Sequence, residues 1–170
     1  MSTVPRLAPA DPDADPDLRS VLAHAPDLLA TFWRLYGRVW QSPEVDQATK
    51  EVARLRNARV VDCGFCRQVR FDGARAQGLD EAACSLVTDD WRHAALPDRH
   101  RAALTLTDAF SRRGSLDAQA RRLVLDELGP HGVVELGVAL VLFRSFASVL
   151  IALGLEPEAM PTTVLPTPGS

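Results

Sequence analysis

Lysine is almost missing from this chain. Lys50 is the single one among 19 basic residues, so the positive charge rests on arginine and persists at any working pH. Positive charge is not in excess: the net charge is −3 and the isoelectric point near 5.8, which argues against a general nucleic-acid binder. No basic, apolar, cleavable pattern opens the sequence, so a cytoplasmic protein is expected. Three cysteines, an odd count, do not make a secreted disulfide framework. No second Cys-x-x-Cys and no His-x-x-x-His accompany the pair at Cys63 and Cys66. A four-ligand zinc site would need Cys84 and His93, at a nine-residue spacing that is not a usual pattern, so no metal is expected. Strand-length alternation, Gly-bounded β runs and clean internal repeats are also missing. That excludes a thioredoxin-type site, whose Cys-x-x-Cys follows a strand.

What is present reads as one soluble helical domain. The 170 residues are 46% apolar and 24% charged, enough for a sizeable core without a membrane-like composition. Residues 1–16, rich in Pro, Ala and Asp, are expected to be disordered or strap-like. Helical texture then runs over 17–155. A short helix ends before Pro26, and Pro26 opens a second whose stripe (Phe32, Trp33, Tyr36, Trp40) reads as core or subunit contact. Ser42-Pro43-Glu44 has the signature of a helix start, and the third helix should reach about Val61 with Glu51 at the border of its apolar line, solvated or paired with Arg54. Asp62 is placed to cap a helix running to Gly78. Further helices are expected at 80–87, 97–113 and 117–128, with Cys84 a small buried hydrophobe. Pro130 opens the longest apolar run, 133–153. Glu135 and Arg144 interrupt it, which argues for a central helix, packed by a second subunit, over a membrane span. Residues 156–170 read as a flexible tail.

The chemistry centres on Cys63-Gly64-Phe65-Cys66. Thiols three apart can meet in a disulfide, and a thiol reacts only as thiolate. A helix start and the arginines Arg67 and Arg70 both favour that form, and Arg70 lies four residues after Cys66. Cys66 is therefore the candidate nucleophile, and Cys63 the thiol that resolves its sulfenic acid.

Glu51, an eleven-residue gap, Cys63-x-x-Cys66, then Gly78-Leu79 and Asp80-Glu81 together resemble the carboxymuconolactone decarboxylase superfamily, and within it the alkyl hydroperoxidase D branch. The likeness spans roughly 17–155, with its specific residues confined to 51–81. It implies an all-α, multi-helix, single-domain bundle that oligomerises through apolar helices as a trimer or hexamer. It also implies an antioxidant oxidoreductase that reduces a peroxide or disulfide without a bound cofactor, drawing on an external thiol or disulfide reductant. Cys66 then matches the nucleophile, Cys63 its proton donor and partner, and Glu51 the proton-relay acid. This chain departs from the pattern at Arg70, where relatives carry histidine. Arginine holds a thiolate but accepts no proton, so Arg70→His is expected to raise turnover if that acceptor is the deficit. Two other readings stand beside this one. A lyase acting on a small acidic lactone would not need the thiols, and a non-catalytic, redox-responsive helical oligomer would oxidise once. His131, at the start of the last helix, reads as structural.

Overall fold

The computed structural model describes residues 5–112, 114–157 and 159–170. The expected N-terminal segment (its first four residues), the expected helix end at Arg113 and one tail residue, Glu158, lie outside them. The fold is all-α, a single-domain bundle with eight helices among the described residues: α1 (Leu18–Leu22), α2 (Pro26–Gln41), α3 (Gln47–Val60), α4 (Gly64–Gln68), α5 (Asp72–Ala76), α6 (Glu81–Ser85), α7 (Asp98–Arg112) and α8 (Ala118–Leu153).

α3 is the axis. Every residue from Ala48 to Ala58 is buried, enclosed mainly by α7 and α8. Its N-cap is Asp46 and not Ser42: the Asp46 carboxylate accepts from the Thr49 N–H (2.8 Å) and hydroxyl (2.8 Å). The Ser42 hydroxyl is turned instead to Glu135. Burying a whole helix buries its charges, and each has a partner. Lys50, fully buried, meets Glu135 at 2.7 Å and the Ser42 carbonyl at 2.6 Å. Arg56 meets Asp108 and Asp89, both at 2.6 Å. Such pairs do not guarantee net stability, but removing one partner leaves an uncompensated charge in low dielectric.

Gly129, at φ 64, ends one helix inside α8 and Pro130 begins the next. The second segment supplies Leu136, Leu140, Phe143 and Ala147 to the core. By length and composition α8 resembles a membrane span, but it is broken at that glycine and one face of its second segment packs in the core of the bundle.

Two expectations need correction. The cysteine helix does not run from Asp62 to Gly78. It stops after Gln68, gives way to strand β1 (Val69–Phe71), and resumes as α5. The carbonyls of Cys66 and Val69, which a continuous helix would bond internally, are taken by Arg54 at 2.7 and 2.6 Å. Nor is the tail loose. Its segment Thr163–Leu165 forms β2, parallel to β1, with Val69 opposite Thr163 and Phe71 opposite Leu165. Thr167 then locks to Asp72 through its N–H (2.8 Å) and hydroxyl (2.7 Å), and Gly169 lies so close to Gly37 that a Cβ there would stand 3.1 Å from its Cα. At the other end, Arg6 donates its N–H to the Leu153 carbonyl (2.8 Å) and Ala10 to the Ser20 carbonyl (3.0 Å), tying this segment to the end of α8 and to α1.

Acid should loosen this frame. Burial works against charge on Asp108, but hydrogen bonds from Arg56, Trp91 and Arg92 prevail and hold its carboxyl below the usual range; Asp46 and Glu135 are held down in the same way. Carboxyls depressed by folding contribute stability above their ordinary pKa and lose it as pH falls through the folded value. The denaturation midpoint is therefore expected to fall steadily below about pH 5. Asp108→Asn should cost about 3 kcal/mol at pH 7 and flatten part of that slope. Denaturant unfolding at several pH values measures both.

Candidate active site

α3 ends at Val60. Asp62, at φ 57, then turns the chain so that Cys63, and not Asp62, caps α4. The Cys63 sulfur accepts the Cys66 N–H at 3.3 Å. This short turn brings the two thiols into contact with both cysteines free. Cys63 is fully buried and Cys66 is 8% exposed, in a cluster with Ala58, Ala147 and Leu150. The interaction of the two side chains lowers Cys66 and raises Cys63; burial raises both, and the Arg54 charge brings Cys66 down further.

The guanidinium beside Cys66 is thus Arg54 and not Arg70. Arg54 occupies a buried hub. It grips Glu51 through two bonds (2.7 and 2.6 Å), holds the Cys66 and Val69 carbonyls, and lies 5.2 Å over the Phe71 ring. Burial opposes the Arg54 charge, but Glu51 wins and fixes it as a permanent cation. Glu51 is 1% exposed, its oxygens held by that fork. Arg70, on β1, turns away and pairs with Glu81 (3.0 and 2.6 Å) and with the Arg67 and Val69 carbonyls. Because β1 replaces a helical turn, residue 70 does not stack over Cys66. The expectation for Arg70→His is revised accordingly. That substitution should give no gain in turnover and should lower stability, since it removes the Glu81 fork without delivering an imidazole to the thiols. Peroxide turnover and a melting curve on the same preparation check this.

Cys66 borders a cavity of about 400 Å³. Its walls are aromatic: Trp33 and Tyr36 from α2, Phe65 from α4, Phe143 and Phe146 from α8. Leu165, Pro166 and Pro168 of the tail close one side. The α2 aromatics, read from the sequence as core or subunit contact, therefore wall this space as well. Besides the Tyr36 phenol and Cys66, Arg54 and the buried Asn57 line it, and Asn57 Oδ1 has no hydrogen-bond partner among the described residues.

With that geometry in view, two of the solved structures that resemble this chain can be set beside it. The first is a protein of unknown function from Agrobacterium tumefaciens, named as a candidate antioxidant defence protein AhpD. It is 17% identical, with a TM-score of 0.69 over 82% of this chain and 96% of its own. The second is an uncharacterized peroxidase-related protein from Silicibacter sp. TM1040, 16% identical, with a TM-score of 0.70 over 91% and 93%. This chain has the AhpD-like fold. At such identities the likeness carries the fold alone. No family model and no curated protein matches the sequence.

Cys84 and the histidines lie apart from the pair. Burial pushes the Cys84 thiol up to about 11, in a separate cluster with Val52, Leu79 and Trp91. No group of three His, Cys, Asp or Glu among the described residues is arranged to hold a metal ion. His131 is exposed on a groove with Arg38 and Glu135, and His24 bonds the Ala8 carbonyl at 2.9 Å.

Proposed function

We propose that the protein is a thiol-dependent antioxidant oxidoreductase that reduces organic hydroperoxides through Cys66 and Cys63. The observation that carries this reading is a free, hydrogen-bonded thiol pair whose lower-pKa member borders an aromatic cavity beside a fixed guanidinium. The Cys66 thiolate attacks the distal peroxide oxygen and the O–O bond breaks. The alkoxide leaves and takes up a proton as the alcohol, and Cys66 becomes a sulfenic acid. Cys63 then attacks that sulfur, water departs, and an external dithiol reduces the disulfide. The aromatic walls suit an apolar R group. Glu51 acts here by anchoring Arg54. Exposed Val134, Val138 and Val141 on α8 support assembly as a homo-oligomer.

The test supplies cumene hydroperoxide and a dithiol to the purified protein. Steady consumption, with loss of the Cys63 and Cys66 thiols in a reductant-free pulse, supports the reading. A single equivalent consumed with no recycling would replace it with a redox-responsive role, and intact thiols after the pulse would sink both.

A further inference from the structure

Closing the disulfide requires a place for the Cys63 proton. In the reduced pair Cys63 is the thiol that keeps its proton, raised by its neighbour Cys66 and by burial. Once Cys66 is a sulfenic acid, Cys63 must give the proton up in order to attack. Cys63 is fully buried, so bulk water does not reach it directly. The side chains that the sequence resemblance would nominate are engaged elsewhere. Both oxygens of Glu51 are held by Arg54, and Arg70 holds Glu81 and accepts no proton.

A carboxylate arrives from the other end of the chain. Gly154, at φ 65, turns the backbone out of α8, and Leu155 anchors the turn in the same apolar cluster as Cys63 and Cys66. Glu156 follows, its Oε1 accepting the N–H of Gly64, the residue next to Cys63. Its charge acts on both sulfurs, raising each. Glu156 is half-buried, and its far side opens on a surface cleft of about 370 Å³ lined also by Pro16, Asp17, Arg19 and Phe65. The charged groups around the pair are then Arg54 and Glu51 from α3, Glu156 from the turn after α8, the Arg67–Asp62 surface pair, and Asp17 and Arg19 across the cleft.

We propose that Glu156 is the proton acceptor of the thiol pair, taking the Cys63 proton as the disulfide closes. The Cys63 sulfur donates its electron pair to the Cys66 sulfur while the Cys66 S–O bond breaks. The departing hydroxyl leaves as water with a proton returned by Glu156 or solvent. Cys63 is thereby oxidised and the sulfenic sulfur reduced, with the hydroperoxide the original oxidant. This step rests on the thiol–peroxide reading above.

Glu156→Gln isolates the proton function, because the amide oxygen still accepts from Gly64 N–H while the charge is gone. After one hydroperoxide pulse at pH 7, disulfide closure is expected to slow by about 10²-fold, with the Cys66 sulfenic acid trapped by a cyclic diketone. In the same variant the pH midpoint for alkylation of Cys66 should move down, since a negative charge that raised it has been removed. Glu156→Asp, which keeps the carboxylate, should recover part of the closure rate. Wild-type closure and an unmoved alkylation profile in Glu156→Gln would overturn the proposal and leave the peroxide reading standing. So would Glu156→Asp closing no faster than Glu156→Gln. If wild-type protein forms no sulfenic acid at all, the parent reading fails, and this one with it.

Discussion

Cys66→Ser is expected to reduce hydroperoxide consumption to the rate of the dithiol alone, whereas Cys63→Ser should keep the first oxidation and lose the second. The asymmetry follows from the way the pair shares its proton. Cys66 borders the cavity and is the thiol whose pKa the pairing and Arg54 bring down, so it is the one that meets the peroxide as thiolate. Serine at 66 has no comparable nucleophilicity at neutral pH, and nothing else on the cavity wall replaces it. Serine at 63 still donates a hydrogen bond to Cys66, so the thiolate persists and a stoichiometric burst of peroxide loss should remain. The sulfenic acid then has no neighbour to close on. Its sulfur, at a residue only 8% exposed, is slow to meet an external dithiol, so steady turnover should fall sharply while the burst survives. Consumption traces, with mass analysis of the trapped cysteine, separate the two phases. A Cys66→Ser protein that retains turnover would remove the thiol mechanism and favour chemistry in which the cysteines are bystanders.

How far the sequence discloses such a site depends on which contacts are local. The pair itself is local: two sulfurs three residues apart meet across one turn whether or not the helix continues. The order of the helices is legible for the same reason, since proline, glycine and capping residues act within a few positions of themselves. Gly129 and Pro130 divide α8 at the residue where composition changes. The α3 start shows the limit of that rule. Ser42-Pro43-Glu44 carries the signature of a cap, yet Asp46 wins because Glu135, some ninety residues on, engages the Ser42 hydroxyl.

The long-range features were not legible. Glu51 sits at the border of an apolar stripe and reads as solvated or paired with Arg54; the pair forms, but its full burial comes from the packing of α7 and α8 on α3. Arg70 has the right spacing for a helix, and that helix does not exist at residue 70, because Arg54 captures the carbonyls needed to propagate it. A proline- and threonine-rich tail reads as loose when its partner strand cannot be identified. The three-residue pairing with β1 is too short to leave an alternation. Arg54, Asn57 and Glu156 belong to the thiol site only because the fold brings them to it. The one available signal was the i,i+3 spacing of Glu51 and Arg54.

Arg54→Met is the substitution expected to do the most damage to the fold and to the thiol together. The guanidinium makes four hydrogen bonds at 2.6–2.7 Å, two to Glu51 and one each to the Cys66 and Val69 carbonyls. Methionine matches the stem and makes none of them. Glu51 would be left as a buried carboxylate without its cation, a loss of about 3–5 kcal/mol for a pair this enclosed. The two carbonyls would lose their donor just where α4 turns into β1, so the segment bearing Cys66 should exchange its amides faster. The charge that lowers Cys66 would also be gone, and its alkylation midpoint should move to higher pH. Two companions sort these effects. Arg54→Lys keeps the charge and not the fork, so it should retain more thiolate character than stability. Glu51→Gln combined with Arg54→Met removes the orphaned carboxylate and should recover part of the stability, but none of the Cys66 reactivity. If the double variant regains both, the thiolate owes nothing to the guanidinium, and the Cys63 S–H alone holds Cys66 in its reactive form.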